Sequence, residues 1–251
     1  MHLYSKEHLA ASSGIVGASG PAAAGFALAA QTLRPGALAV AFFGEGATNQ
    51  GMLMEALNLA VVWQLPVLFV CKDDGWSITT ESRGGLGSKP AERARSFGMP
   101  AAEVDGRNIQ AVWYAAQEAV QRARDGNGPS FLQARCVHLE AHFLGYLPLR
   151  IVRSPAKYLP GEALHFTNAI LQKDGGGLKD RIDGLGLIVN MLIGTFRSQQ
   201  AAMRDDPILQ ARQRLRMDES ILRKTESSLA QEIREVIELA LKPEPQPEVA
   251  S

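Results

Sequence analysis

The chain has 251 residues, of which 46% are hydrophobic and 21% charged, and this is the composition of a folded globular protein rather than of a disordered one. Its 26 basic side chains balance its 26 acidic ones, so no net charge favours binding to nucleic acid or to an acidic membrane surface. With two cysteines, no signal-peptide pattern and no apolar segment long enough to cross a bilayer, we expect a soluble, cytoplasmic protein without a disulfide framework.

The first part of the chain has the pattern of an Ala-rich helix followed by a strand–helix–strand unit. The Ala-rich helix is predicted to be buried, and Gly25 within it would allow close packing. Both strands are uninterrupted apolar runs, which are typical of strands covered on both faces. In chain order the segments are helix Gly20–Leu33, strand Ala37–Phe43, helix Asn49–Trp63 and strand Val67–Cys71. A strand, a helix and a strand in close succession predict parallel pairing of the two strands.

The polar segment Lys72–Ser88 is too long for a simple connection and is therefore a candidate functional loop. Helices and strands alternate again after it, as helix Pro90–Phe97, strand Ala102–Val104, helix Asn108–Arg124 and strand Ser130–Val137. The longer helix has an apolar face that consists of Ile109, Val112, Trp113, Ala116 and Val120. This alternation predicts an α/β fold, with a doubly wound, mainly parallel sheet and helices on both faces.

The character of the sequence changes near residue 145, and we predict a domain boundary there. Residues 1–145 form the α/β domain, residues 146–241 an irregular segment and C-terminal helices that pack on it, and residues 242–251 a disordered tail. The irregular segment is Leu147–Gly177, which is rich in Pro and Gly. Helices are predicted over Leu178–Ser198, Asp206–Met217 and Asp218–Leu241, the last with Asp218 and Ser220 as candidate N-caps.

Polar residues follow the two strands of the strand–helix–strand unit. Gly44-Glu45-Gly46 comes after the first strand and Asp74 after the second. The carboxyl ends of neighbouring strands in an open α/β sheet form the crevice in which ligands bind. The glycines allow backbone to approach a phosphate, and the next helix offers its N-terminal amides. Glu45 and Asp74 are therefore candidates to hold Mg²⁺ against a diphosphate. Ordinary turns, with Asn49 as a helix cap, are the alternative interpretation.

The segment from Gly44 to Thr80, which begins GEGATNQG and contains KDDGW, resembles the thiamine diphosphate motif of the alpha subunits of 2-oxo acid dehydrogenases, the pyruvate, branched-chain and acetoin types. That motif reads Gly-Asp-Gly-Ala-x-Asn-x-Gly, then a helix, an apolar strand and an Asn-Asn pair. Three further segments are similar to the family: the opening with its GIVGA loop, His138–Gly145 (HLEAHFLG) and Asp206-Pro207-Ile208. The resemblance covers nearly the whole chain and is weakest over residues 146–200.

The resemblance implies a role for each matched residue. The metal ligands would be Glu45, Asp74 and the backbone carbonyl of Trp76. The other residues along the thiamine diphosphate would be Ser5, Gly14, Val16, Gly44, Gly46 and Ala47, the last two through their amides. His142 would be the catalytic residue beside the thiazolium ring, where it would transfer protons or stabilise an intermediate.

The resemblance also implies a reaction and its partners. A 2-oxo acid would be decarboxylated, or acetoin cleaved, and the acyl group would pass to a lipoyl-bearing acyltransferase. A beta subunit of the same component would supply the glutamate that activates the cofactor, in an α₂β₂ heterotetramer. The sequence departs from the family pattern at Glu45 (Asp in the family), Asp74 (Asn), Ala141 (Gly) and Tyr146 (Asp). It starts at the Met-His of the family, as expected of an N-terminally truncated chain, a misassigned start or a degenerate relative.

Three other interpretations remain open at this stage. A catalytically silent paralogue or fragment that retains the fold for assembly is favoured by the altered ligands. A nucleotide-binding domain of dehydrogenase type is the second, but Gly14–Gly20 lacks the Gly-x-Gly-x-x-Gly pattern directly after a strand. The third is another thiamine-dependent enzyme, such as one half of a transketolase-like protein.

Overall fold

The computed structural model describes residues 2–77, 80–139, 150–151, 154–171, 177, 179–180, 183–184, 186, 193, 203–215 and 218–241. The chain divides into two compact units, Met1–Pro207 and Ile208–Ser251. The predicted domain boundary at 145 and the predicted tail at 242–251 both fall outside the described residues, so they stay predictions.

Within the described part of the first unit, eight strands and seven helices have defined bounds. The strands are β1 His2–Ser5, β2 Ala10–Ser13, β3 Ala39–Gly44, β4 Val67–Asp73, β5 Trp76–Ser77, β6 Thr80–Glu81, β7 Ala101–Asp105 and β8 Ser130–Arg135. The helices are α1 Ser19–Leu33, a 3₁₀ helix Glu45–Asn49, α2 Gly51–Val62, α3 Ser82–Gly85, α4 Pro90–Ser96, α5 Ile109–Arg124 and α6 Pro155–Leu171.

The framework is a four-stranded parallel sheet with the order β3-β4-β8-β7. One face packs on α1, α2 and α4 through a core that includes Phe43, Phe69 and Phe131, whereas Leu68 and Leu132 face the opposite side, towards α5. Helices therefore cover both faces, and the predicted α/β, doubly wound parallel fold is confirmed. This topology places the carboxyl ends of β3 and β4 side by side, where the candidate site lies.

The edge strand β3 differs from its prediction. Ala37–Phe43 is expected to be covered on both faces, but Val40 is 42% exposed and Phe42 62% exposed. The prediction is wrong for this strand and right for the next one, since Val67, Leu68 and Phe69 of β4 are all buried. An apolar run indicates that a strand is hydrophobic, but the position of the strand in the sheet determines whether one or both of its faces are covered.

The close helix contact also involves a different glycine from the predicted one. Gly25 has no neighbour within 4 Å of a Cβ built on it, whereas a Cβ on Gly20 would lie 2.5 Å from Leu53 Cδ1. Gly20 therefore allows α1 to pack against α2, and the prediction for Gly25 is wrong. The Ala-rich run contains glycines on more than one helical face, and only the packing partner selects between them.

Helix α5 confirms only part of its predicted apolar face. Val112, Ala116 and Val120 are half-buried, but Ile109 is 62% exposed and Trp113 66% exposed. The small residues Ala119 and Ala123 are the fully buried ones. The face of α5 that contacts the sheet is therefore centred on alanines rather than on Ile109 and Trp113, because small side chains let the helix approach the sheet closely.

Asn108 caps the N-terminus of α5, because its Oδ1 accepts a hydrogen bond from the N–H of Ala111 at 3.3 Å. Asn108→Ala would leave that amide without its partner, and we expect a loss of about 1 kcal/mol in the free energy of unfolding. Urea denaturation followed by circular dichroism measures the change. Asn108→Ser retains a cap and should cost less than half as much; equal losses would contradict the capping role.

Residues 155–171 form helix α6, with Pro160 inside it, so the predicted irregular structure is wrong there. Most of the predicted helix Leu178–Ser198 lies outside the described residues. The second unit contains helix α8, Glu219–Leu241, and nearly all of α7, Pro207–Leu215. Of the two candidate N-caps, Asp218 is confirmed, because its Oδ1 accepts from the Ser220 N–H at 2.7 Å, whereas Ser220 lies inside the helix. None of the described helices is long and apolar enough to cross a membrane.

Candidate functional site

The ends of β3 and β4 meet as the strand–helix–strand pattern predicts. Gly44, the last residue of β3, is paired with Lys72 of β4, so the 3₁₀ helix that starts at Glu45 lies beside the turn that follows Asp73. The negative charges of Asp74 and Asp73 both raise the pKa of Glu45. The three carboxylates therefore share one strand-end crevice.

Glu45 is buried, with only 1% of its surface exposed, so the interpretation as a surface turn is wrong. The Ser82 hydroxyl donates a hydrogen bond to its Oε1 at 2.6 Å. Burial is the main cause that raises the pKa of Glu45, because removing a carboxylate from water disfavours its charged form; the hydrogen bond from Ser82 acts in the opposite direction. The site holds a carboxylate whose negative charge would be stabilised by a cation.

Asp73 anchors the turn after β4. Its Oδ1 accepts from the Gly75 N–H at 3.1 Å, its Oδ2 accepts from Gln133 Nε2 at 2.6 Å, and its carbonyl accepts from the Cys136 N–H at 2.7 Å. Gly75 has φ of +78°, a conformation that favours glycine. The side chain of Asp73 is thus occupied in holding the backbone.

Asp74, the next residue, has a different surrounding. Its Oδ1 accepts from the Trp76 N–H at 3.0 Å, and His138 Nε2 lies 3.8 Å from its Oδ2. The side chain is 11% exposed. Of the two neighbouring aspartates, Asp73 ties the turn to β8, whereas Asp74 contacts Trp76 and His138.

The donor set suits Mg²⁺ chemically. Glu45 and Asp74 offer carboxylate oxygens and Trp76 offers a carbonyl, which are the hard ligands that this ion prefers. The part of the chain that the structure describes contains no group of three or more His, Cys, Asp and Glu placed to hold a metal. Mg²⁺ commonly uses only one or two protein carboxylates and completes its shell with phosphates and water. The desolvated Glu45 beside a second carboxylate fits such an ion.

Gly46 is held close to the first residues of the 76–81 hairpin. A Cβ built on it would lie 2.0 Å from Ser77 Oγ, so no larger residue fits without a shift of Ser77. Asn49 does not cap α2; its Nδ2 donates to the Gly85 carbonyl at 2.9 Å, which rules out the capping alternative. The 3₁₀ helix thus contacts Ser77 through Gly46 and Gly85 through Asn49.

The remaining predicted residues lie at different places. Val16, Gly44 and Ala47 line a trough of about 950 Å³ between β2, α1 and β3. Ser5 lies in the β1–β2 hairpin, where its Oγ accepts from the His8 N–H at 3.3 Å, and Gly14 follows that hairpin. His142 lies outside the described residues, so its predicted catalytic role stays a prediction.

Three residues of the site were not found from the sequence: Ser82, Arg93 and Gln133. The guanidinium of Arg93 donates to the Thr48 carbonyl at 2.7 Å and to Asn49 Oδ1 at 2.8 Å, and so fixes the end of the 3₁₀ helix. Gln133 carries a detectable signal, because it is a polar residue in the apolar run of β8. Ser82 and Arg93 carry none, since exposed loops and helices commonly contain both types.

The chain spans about 40% of the length of the curated relatives that it matches first. The alpha subunit of acetoin:2,6-dichlorophenolindophenol oxidoreductase from Cupriavidus necator is 44% identical over 133 residues, which cover 53% of this chain and 40% of the relative. The alpha subunit of the pyruvate dehydrogenase E1 component from Rhizobium meliloti is 36% identical over 160 residues, 63% of this chain and 44% of the relative. Transketolase from Campylobacter jejuni aligns with 50% of this chain and 20% of its own, with a TM-score of 0.43 and 18% identity.

The family model described as "Dehydrogenase E1 component" matches residues 1–145, more than half of the chain and the whole of the region that holds β1–β8. The relatives in this comparison are named alpha subunits. The chain therefore belongs to the dehydrogenase E1 component family.

Proposed function

We infer that this chain is the thiamine diphosphate-binding part of the alpha subunit of a 2-oxo acid or acetoin dehydrogenase, active only together with a beta subunit. The observation that carries the proposal is the buried carboxylate of Glu45, at the end of β3 and beside the Asp74 turn at the end of β4. A buried carboxylate is costly in its charged form unless a cation or hydrogen bonds compensate it, and its place at a strand-end crevice supports a bound ion as that cation.

In this proposal Glu45, Asp74 and the carbonyl of Trp76 hold Mg²⁺. The residues along thiamine diphosphate are Ser5, Gly14, Val16, Gly44, Gly46 and Ala47. When bound, the cofactor supplies the carbanion chemistry. The chain would contribute binding and orientation: the backbone after β3 would meet the diphosphate, the carboxylates would hold the metal, and His142 would transfer a proton.

The names of the relatives support the substrate class and the partners of the proposal. Acetoin and pyruvate are both represented among them, so a 2-oxo acid or acetoin is the proposed substrate. A subunit named alpha supports a beta partner, in a proposed α₂β₂ heterotetramer. Acyl transfer to a lipoyl-bearing acyltransferase and the cytoplasmic location are parts of the proposal that follow from the resemblance and the composition.

The test is a calorimetric titration of thiamine diphosphate with Mg²⁺ into this chain co-purified with a beta subunit of the family. We expect saturable binding that requires the metal, and that falls at least about a hundredfold in Asp74→Ala, since loss of outer partners of a metal ligand already costs 10–100-fold. Glu118→Ala, which removes an exposed carboxylate on α5, is the matched control and should bind like wild type.

A folded complex that binds no cofactor would contradict the proposal and favour the catalytically silent paralogue. If wild type and Asp74→Ala bound the cofactor and the metal equally well, the assignment of Asp74 as a metal ligand would be wrong.

A further inference from the structure

Gln133 is a buried polar residue whose side chain is hydrogen-bonded at both of its polar ends. It lies in β8, the strand between β4 and β7, and only 3% of its surface is exposed. Its Nε2 donates to Asp73 Oδ2 at 2.6 Å, and its Oε1 accepts from the Ala91 N–H at 3.0 Å. One amide therefore connects β8 with the end of β4 and with the first turn of α4.

The contact with Asp73 reaches the candidate metal ligands through the backbone. The other oxygen of Asp73 accepts from Gly75, and the Asp73 carbonyl accepts from Cys136, the first residue after β8. The turn 73–76 is thus fixed on its inner side by β8. Asp74 and the carbonyl of Trp76 are part of the same turn, so their positions depend on how Asp73 is held.

We propose that Gln133 is a positioning residue for the metal site: its bridge to Asp73 sets the turn that presents Asp74 and the Trp76 carbonyl towards Glu45. This inference rests on the proposed function. The physical reason for an amide at this position is that it is both donor and acceptor. A carboxylate of Asp73 and a backbone N–H of α4 need opposite partners, and Gln133 supplies both with one planar group.

The burial of Gln133 makes its two hydrogen bonds important for the fold around the turn. A buried amide costs free energy unless both of its polar ends are bonded, and an apolar residue at this position would leave Asp73 Oδ2 and the Ala91 N–H without this partner. The same strand contains a buried polar group without such bonds: Ser130 is 5% exposed, and its Oγ has no partner among the described residues. Ser130 therefore provides a matched control for the loss of a buried polar side chain in β8.

The experiment measures the affinity for Mn²⁺, as a spectroscopic substitute for Mg²⁺, by electron paramagnetic resonance with thiamine diphosphate present and the chain co-purified with a beta subunit. Gln133→Met removes both hydrogen bonds at similar volume, and Gln133→Glu places a second carboxylate against Asp73. We expect both variants to bind Mn²⁺ about ten- to a hundredfold more weakly, as for other outer partners of metal ligands. The affinity of Ser130→Ala for Mn²⁺ should stay within about twofold of that of wild type.

An exchange of the two groups separates positioning from general stability. In the double variant Asp73→Asn with Gln133→Glu, the new amide donates to the new carboxylate, which still accepts from the Ala91 N–H. The side-chain oxygen at position 73 also still accepts from the Gly75 N–H, so all three hydrogen bonds are retained. The affinity for Mn²⁺ should therefore return to within about threefold of wild type, while Gln133→Glu alone binds weakly.

Two results would overturn the inference: wild-type affinity in both single Gln133 variants, or a double variant no tighter than Gln133→Glu. Absence of Mn²⁺ binding by wild type would overturn the proposed function itself, so the two failures are distinguishable. If Gln133→Met does not fold, the comparison of Gln133→Glu with the double variant decides alone.

Discussion

Glu45→Gln is expected to weaken metal-dependent cofactor binding strongly while leaving the metal-free chain at least as stable as wild type. The substitution retains an oxygen that accepts from the Ser82 hydroxyl, but it removes the negative charge that burial disfavours. Loss of the charge weakens the bond to the metal, and it also removes the free-energy cost of burying a carboxylate in the metal-free chain. We expect binding to weaken at least about a hundredfold in the calorimetric titration, as estimated for loss of a ligand whose outer partners alone contribute 10–100-fold.

The stability of Glu45→Gln relative to wild type can also be tested through its dependence on pH. Burial raises the pKa of Glu45 above its ordinary value of 4.5, so the folded chain binds this proton more tightly than the unfolded chain does. The stability that this preference contributes is fully present below the ordinary pKa and is lost as the pH rises through the raised one. In urea denaturation of metal-free protein, wild type should therefore lose stability relative to Glu45→Gln between acidic and neutral pH. Parallel curves for the two proteins would contradict the burial of a charge at this position.

Phe69→Ala is expected to cost about 3–5 kcal/mol in the free energy of unfolding, as do other large-to-small changes in a core. Phe69 lies in β4, inside the four-stranded sheet, and its exposed fraction is 0%. The cost is a large part of the total stability of about 5–15 kcal/mol that domains have. Urea denaturation followed by circular dichroism measures it.

Phe42→Ala is the matched control, since the same side chain is removed from the neighbouring strand β3 where Phe42 is 62% exposed. A change of about 0.5 kcal/mol or less is expected for a surface position. Equal losses in the two variants would show that β3 is covered in solution on the face where Phe42 lies.

The candidate site illustrates how far sequence reasoning reaches. The position of Glu45 after one apolar strand and of Asp74 after the next predicted that their elements meet, because parallel strands of a βαβ unit end at the same edge. That reasoning uses only chain order and polarity. It does not distinguish the two aspartates by their contacts, because Asp73 and Asp74 are adjacent and of one type; the hydrogen bond from Gln133, sixty positions away, separates them.

The fold shows the same division. Apolar periodicity predicted the α/β class, the parallel pairing and nearly every element of the sheet, since these depend on local pattern and on a general rule of connection. The prediction of burial from apolar spacing was wrong where burial depends on the segment that packs against the residue. Trp113 has the spacing of a core residue yet is 66% exposed, because α5 approaches the sheet along its alanines.

The family resemblance, the order of strands and helices along the chain and the place where polar groups collect can all be predicted from the amino-acid sequence. The burial of Glu45, the hydrogen bond that it accepts from Ser82 and the one that Asp73 accepts from Gln133 become known only from the folded chain. Burial and hydrogen bonding depend on pairs of segments that lie far apart in the chain. A hydrophobic pattern records the preference of each segment for the interior, whereas the partner that each polar group finds there depends on how the segments are placed against one another.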